Sequence, residues 1–196
     1  MNFLAHIYLS GNDEDLKIGN FIADFVKGKA YDDFDPAIQK GIILHRAIDH
    51  FTDTHAIVSQ SKRRLWEKYR HFSGVIVDIY YDHFLAKNWS DFSKVPLANY
   101  VDEFYSMVTS YGHKLPQSVN HMLPYMIQKN WLLNYANFEG IEDVMHGMSR
   151  RTKHDSKMEK SVEDLKMHYD EFGKEFTAFF PELEAHVSQW TQENID

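Results

Sequence analysis

The sequence contains no cysteine. That excludes a disulfide framework, a thiolate nucleophile and a sulfur-ligated zinc site, and it suits a reducing compartment. Proline and glycine are sparse, five and nine in 196 residues, so the chain suits long helices joined by short turns. Strand-type alternation of β-branched residues is nearly absent. No apolar run approaches the roughly 20 residues that a membrane helix needs. The first ten residues, MNFLAHIYLS, lack the basic start and small-residue cleavage site of a secretory signal. The expectation is a cytoplasmic protein with no membrane partner. Positive charge is also scarce: 29 acids stand against 21 Lys and Arg, a formal net charge of −8. Nucleic acid is therefore not the expected partner of the surface. There is no GxxxxGK[ST] loop, no HExxH and no GxSxG, so P-loop, zincin and nucleophile-elbow chemistry have no support.

What is present is apolar, aromatic and rich in histidine. Hydrophobic residues make up 43% and aromatics 15%, a globular composition, and the length fits one domain with a substantial core. The pattern predicts helices over 2–10, 13–28, 36–56, 58–70, 74–87, 96–111, 117–136 and 138–150. A long amphipathic helix is expected over 157–190, with a break at Pro181 and a frayed tail at 191–196. Asn12 or Asp13 is the expected cap of the second helix, and Pro36 after Asp35 opens the third. The fold class expected is all-α, a single multi-helix domain over 1–196.

The strongest clue is charge in apolar surroundings. The segment 74–87, GVIVDIYYDHFLAK, is apolar nearly all round and should be buried. Asp78 and Asp82 nonetheless lie about 40° apart on one side of it. Two buried carboxylates need partners: arginine, backbone donors or a cation. Three other apolar segments show the same anomaly. NFLAHIYL carries His6, and IGNFIADFV carries Asn20 and Asp24, four apart. GIILHRAIDHFTD carries His45, Asp49 and Asp53 in one polar stripe about 80° wide.

Each residue alone has a plainer reading. His6 fits a hydrogen-bonded core histidine, Asp24 a local cap, His45 with Asp49 a surface pair, and Asp78 with Asp82 a salt bridge to Arg46, Arg63 or Arg64. Together, four helices each bring His or Asp to an apolar stripe, and bundle cores build metal sites in that way. Imidazole with carboxylate suits Mn²⁺ or Fe²⁺, or Mg²⁺ with fewer nitrogens. Such an ion suits phosphoester hydrolysis. The candidate metal residues are His6, Asp24, His45, Asp49 and Asp78. Asp82 and His83 are candidates for general acid–base work or for holding the metal residues in place, and Arg46 for a phosphate clamp or equally for a partner of Asp49. The only His-Asp dipeptide, His154-Asp155, sits in the polar stretch SRRTKHDSK and reads as solvated loop.

These segments resemble the acyl carrier protein phosphodiesterases. The resemblance starts at MNFLAH with His6. It runs through GNFIADFVKG with Asp24, GIILHRAIDHFTD with His45, Arg46, Asp49 and Asp53, and DIYYDHFLAKNWS with Asp78, Asp82 and His83. It extends through HGMSRR and LKMHYDEF toward the end of the chain. The resemblance implies a Mn²⁺-dependent, all-helical enzyme similar to divergent HD-domain phosphohydrolases. It implies hydrolysis of the phosphodiester that joins 4′-phosphopantetheine to the serine of holo-acyl carrier protein, giving the apo form. The His-Asp pair of ordinary HD proteins is missing from its usual place in the motif order, and His45 with Asp49 one turn later stands roughly in its place.

An acyl carrier protein is acidic, so a net charge of −8 slows its encounter. Lys62-Arg63-Arg64, Lys68-Arg70 and Arg150-Arg151-Lys153 are the candidate basic dock, with Trp66 and Tyr69 beside the first cluster. No feature of the sequence sets an oligomeric state. Two rivals remain at this level: an HD-type hydrolase of a nucleotide or other small phosphoester, and a non-catalytic helical protein that binds the carrier.

Overall fold

The computed structural model describes residues 1–152 and 154–195, apart from the side chain of His113. Asn2 opens α1 (Phe3–Leu9), its side chain accepting from the Phe3 amide. Asp13 caps α2 (Glu14–Ile22) through the Leu16 amide. A 3-10 turn, Ala23–Phe25, follows and carries Asp24. Pro36 stands in the first turn of α3 (Pro36–Thr54), where its missing N–H is no loss. His55 then caps α4 (Ala56–Tyr69). Next come α5 (Ser73–Lys87), α6 (Leu97–Tyr111), α7 (Gln117–Gln128), α8 (Trp131–Asn134), α9 (Phe138–Ser149), α10 (Ser161–Met167) and α11 (Tyr169–Asn194). The all-α expectation holds, with no strand among the described residues.

The helix expected over 13–28 ends at Ile22, where the 3-10 turn begins, and three further boundaries differ from those expected. The helix expected over 117–136 is split by Asn130, which adopts a left-handed conformation at φ 45°, one that asparagine tolerates. The last long helix breaks at His168 rather than at Pro181. Pro181 lies inside α11, which continues unbroken to Asn194, so the expected fraying at 191–196 is not seen up to that residue. Phe176, Phe179, Phe180 and Leu183 are buried around Pro181, and this packing holds the helix across the lost hydrogen bond.

One hydrophobic core draws buried residues from every helix named above. Helix α5 is buried from Ile76 to Ala86 except at Asp78, as its apolar pattern requires. Helices α2 and α3 cross at Gly19 and Gly41. A Cβ on Gly19 would stand 2.1 Å from the Ile38 carbonyl oxygen, and one on Gly41 would stand 2.4 Å from that of Leu16. Only glycine permits this approach, and it sets the second turn of α3 against the helix that leads to Asp24. No described helix is long and apolar enough to cross a membrane.

Candidate metal centre

His6 from α1 and His45 from α3 are both buried. Their rings stack with centroids 3.9 Å apart and planes 15° apart. Asp49, one turn beyond His45, faces both: Oδ1 lies 3.2 Å from His6 Nε2, and Oδ2 lies 3.1 Å from His45 Nε2. Asp24 Oδ1 approaches His45 Nε2 to 3.2 Å. One ligand atom from each of His6, His45 and Asp49 falls within 4.8 Å of the others.

The orientation of both rings is set from behind by Asn20 on α2, which is fully buried. Its amide nitrogen donates to the His6 carbonyl at 2.9 Å and to Ser10 Oγ at 2.9 Å, which fixes Oδ1 as the acceptor. His6 Nδ1 donates to that oxygen at 2.8 Å. His45 Nδ1 donates to the Asn20 backbone carbonyl at 2.9 Å, with Oδ1 at 3.2 Å. Each ring thereby carries a proton at Nδ1, and both Nε2 atoms face Asp49. A histidine that binds metal through Nε2 is held by its other ring nitrogen in this way.

These residues fit a divalent cation. His6 Nε2 is buried and lacks an aligned hydrogen bond although it faces a carboxylate oxygen, and an orphan of that kind needs an explanation. Two imidazole nitrogens with carboxylate oxygens form a donor set for a divalent cation. Without a cation, protons do the pairing. Burial lowers His45, but the hydrogen bonds to Asp24 and Asp49 overcome it and raise its pKa to about 9. Burial and the neighbouring charge of His45 lower His6 to about 4. Burial raises Asp49, yet its bonds to His45 and His6 hold it far below the usual carboxylate range. The His45 hydrogen bond likewise lowers Asp24.

Asp78 reaches the same place from α5. It shares a cavity of about 200 Å³ with Asp24, His45 and Asp49. The Met1 amino nitrogen lies 3.1 Å from its Oδ1 and 3.9 Å from that of Asp49, and burial raises the Asp78 carboxyl above its usual range. Asp53, the end of the α3 stripe, lines this cavity too and pairs with Lys62 at 2.6 Å.

The structure does not bring Arg46, Asp82 and His83 into this cluster. Asp82 is fully buried and accepts from the backbone amides of Leu4 at 2.7 Å, Asn2 at 3.2 Å and Ala5 at 3.4 Å. It caps the N-terminus of α1, where a carboxylate is favoured. His83 is engaged by the Tyr135 carbonyl at 2.8 Å and the Tyr169 hydroxyl at 2.9 Å. Arg46 donates to the Gly28 carbonyl at 2.7 Å and lies over the Tyr31 ring, 5.0 Å from its centroid.

The partners expected for the α5 carboxylates are also different. Backbone donors, not Arg63 or Arg64, satisfy Asp82. Arg64 forms a two-pronged bond to the buried Glu175 of α11, both contacts 2.7 Å. In the first two basic clusters Lys62 also pairs with Asp53 and Lys68 with Asp164. Tyr69 is core and Trp66 is half exposed. In the third cluster Arg151 lies over Trp131, Arg150 is exposed, and Lys153 falls outside the described residues. His154 and Asp155 are exposed, as expected.

Asn20 was visible in the sequence as a polar residue in an apolar helix, but its spacing pairs it with Asp24. Its contacts to two histidines on other helices have no sequence signal. The crossing of Gly19 and Gly41 was equally hidden.

A family model described as acyl carrier protein phosphodiesterase matches residues 1–183. A protein of Photorhabdus laumondii named acyl carrier protein phosphodiesterase is 33% identical over 184 residues, 92% of this chain and 92% of its own length. A protein of Escherichia coli K12 with the same name is 32% identical over 190 residues, 96% of this chain and 98% of its own. No solved structure matches the chain. The matched span, residues 1–183, contains every residue of the cluster, and the chain belongs to the acyl carrier protein phosphodiesterase family.

Proposed function

We propose that the chain is a divalent-metal phosphodiesterase that hydrolyses the bond between 4′-phosphopantetheine and the carrier protein's serine, leaving the apo carrier. The observation that carries this reading is the convergence of His6, His45 and Asp49 within the matched family span, both imidazoles pinned through Nδ1 with Nε2 facing the carboxylate. His6, His45, Asp49 and Asp24 would hold the ion, and Mn²⁺ is the ion assigned. When bound, such an ion lowers the pKa of its water and offsets charge on phosphate oxygens.

The chain's own residues do the rest. Asn20 keeps the imidazole lone pairs on the cluster. Asp78 borders the same cavity with a raised pKa, and we assign it the acceptance of the attacking water's proton. Arg46 braces the segment after Asp24 through the Gly28 carbonyl, a positioning role in place of a phosphate clamp. Asp82 anchors the helix that carries His6. His83 fastens α5 to Tyr135 and Tyr169.

The test is turnover by metal-stripped protein given Mn²⁺, Mg²⁺ or Fe²⁺, with holo-acyl carrier protein and a panel of nucleotides as substrates. Release of 4′-phosphopantetheine, strongest with Mn²⁺ and lost in Asp49→Ala, supports the reading. Nucleotide turnover with an intact carrier overturns it in favour of a small-molecule hydrolase. Stoichiometric carrier binding without turnover overturns it in favour of a binding protein.

A further inference from the structure

A second cavity, of about 220 Å³, opens beside the metal cluster. The two share the lining residues Asn2, Asp24 and Met148, so they abut. Its far walls are of a different character. Met122 from α7, Trp131 from α8 and Val144 from α9 supply apolar surface, while Arg151 and Asp143 sit at its polar edge. Arg151 is held over the Trp131 ring, 5.7 Å from its centroid.

Tyr135 adds an independent observation. It lines this cavity and is fully buried, and its hydroxyl has no hydrogen-bond partner among the described residues. Buried hydroxyls are rarely left so. A neutral hydroxyl beside apolar walls is suited to an uncharged acceptor such as an amide carbonyl. Burial raises Tyr135 well above the ordinary tyrosine range, so it stays a donor at neutral pH.

We propose that this cavity seats the pantetheine arm of the substrate, with the phosphodiester at its junction with the metal cluster. The inference rests on the phosphodiesterase reading. The arm is a slender chain in which a gem-dimethyl group and short methylene runs alternate with amides, and it ends in a thiol. It therefore needs apolar walls with a few hydrogen-bond groups, and the cavity offers Met122, Trp131 and Val144 for the first and Tyr135 and Asn2 for the second. Enzyme specificity toward the arm then comes from the α7–α9 side of the molecule, and the hydrolytic machinery from α1–α5.

The probe is pantetheine itself, which lacks the phosphate and so reports on the arm alone. Binding is read by ligand-observed NMR on the wild-type chain, on Val144→Trp, which fills the cavity, and on Tyr135→Phe, which removes only the hydroxyl. Wild type is expected to bind. Val144→Trp is expected to abolish binding, and Tyr135→Phe to weaken it about tenfold, the loss of one buried hydrogen bond. Both variants are expected to titrate Mn²⁺ with wild-type stoichiometry, which shows that the fold and the cluster persist. No binding to wild type, or binding that neither variant changes, overturns the proposal. Because pantetheine carries no scissile bond, failure of the phosphodiesterase reading shows separately, as an intact holo carrier while pantetheine still binds. Should Val144→Trp not fold, Tyr135→Phe decides alone.

Discussion

The imidazoles of His6 and His45 lie face to face, 3.9 Å between centroids, although they come from different helices. Two parallel rings with their Nε2 atoms turned the same way repel when both are protonated, and they are well placed to share one cation. Asn20 holds them there. Asn20→Ala is expected to leave the helical content intact and to lower Mn²⁺ affinity by about 10- to 100-fold, the usual effect of removing a group that orients metal ligands. Calorimetric titration of Mn²⁺ into the stripped variant, beside circular dichroism, checks this. Unchanged affinity would remove Asn20 from the account.

The pH dependence follows from the same pair. With His45 raised to about 9 and His6 lowered to about 4, the metal-free cluster at pH 7 carries its proton on His45. A cation must displace that proton. Mn²⁺ binding at pH 7 is therefore expected to release about one proton, with apparent affinity rising about tenfold per pH unit up to about pH 9. Titrations in buffers of different ionisation enthalpy measure the release.

The metal-free protein's stability follows with signs worked out for each ring. His45 in the folded chain lies above its ordinary 6.5. Its stabilising contribution is fully present below pH 6.5 and is lost as pH rises through about 9. His6 is depressed below 6.5, so the unfolded chain takes up its proton more readily and stability falls as pH drops from 6.5 toward 4. The melting temperature of stripped protein is expected to decline on both flanks, and saturating Mn²⁺ to flatten the alkaline one.

Asp82 distinguishes a structural carboxylate from a catalytic one. It accepts three amides of α1 from a fully buried position, so Asp82→Ala leaves these donors unpaired. A loss of about 2–4 kcal/mol in unfolding free energy is expected. Asp82→Asn, which keeps an acceptor oxygen, should retain most turnover at low temperature. A variant of normal stability and no turnover would contradict this role.

Gly41→Ala tests the helix crossing. Its Cβ would stand 2.4 Å from the Leu16 carbonyl and 2.8 Å from Gly19 Cα, so α2 and α3 must separate. Overpacking of this kind costs about 1–3 kcal/mol or more. Because α2 carries Asn20 and α3 carries His45 and Asp49, metal affinity should fall together with the melting temperature. Wild-type values of both would show that the crossing is tolerant.

The sequence made the helices and most of the cluster legible because burial leaves a pattern. A carboxylate or imidazole inside an apolar run is anomalous wherever it points, which is how His6, Asp24, His45, Asp49 and Asp78 stood out. Their convergence is a tertiary fact, and so is the divergence of Asp82 and His83. Asp78 and Asp82 share one side of α5, yet the end of α1 takes the Asp82 lone pairs and leaves Asp78 at the cavity. Periodicity does not distinguish these two. Arg46 was misplaced for the same reason: adjacency to His45 in sequence puts it about 100° away on the helix, over Tyr31. Pro181 and Asn130 show the limit for boundaries. Packing kept the helix through the proline, while an asparagine with no flanking glycine or proline ended one.

Release of phosphopantetheine by this cluster is proposed to depend on a bound metal ion. The direct measurement is the intact mass of holo-acyl carrier protein after incubation with stripped wild-type protein, with and without Mn²⁺, and with Asp49→Ala plus Mn²⁺. Catalytic loss of the phosphopantetheine mass is expected only for wild type with Mn²⁺. An unchanged carrier mass in every arm, or equal loss without metal or with Asp49→Ala, would contradict it.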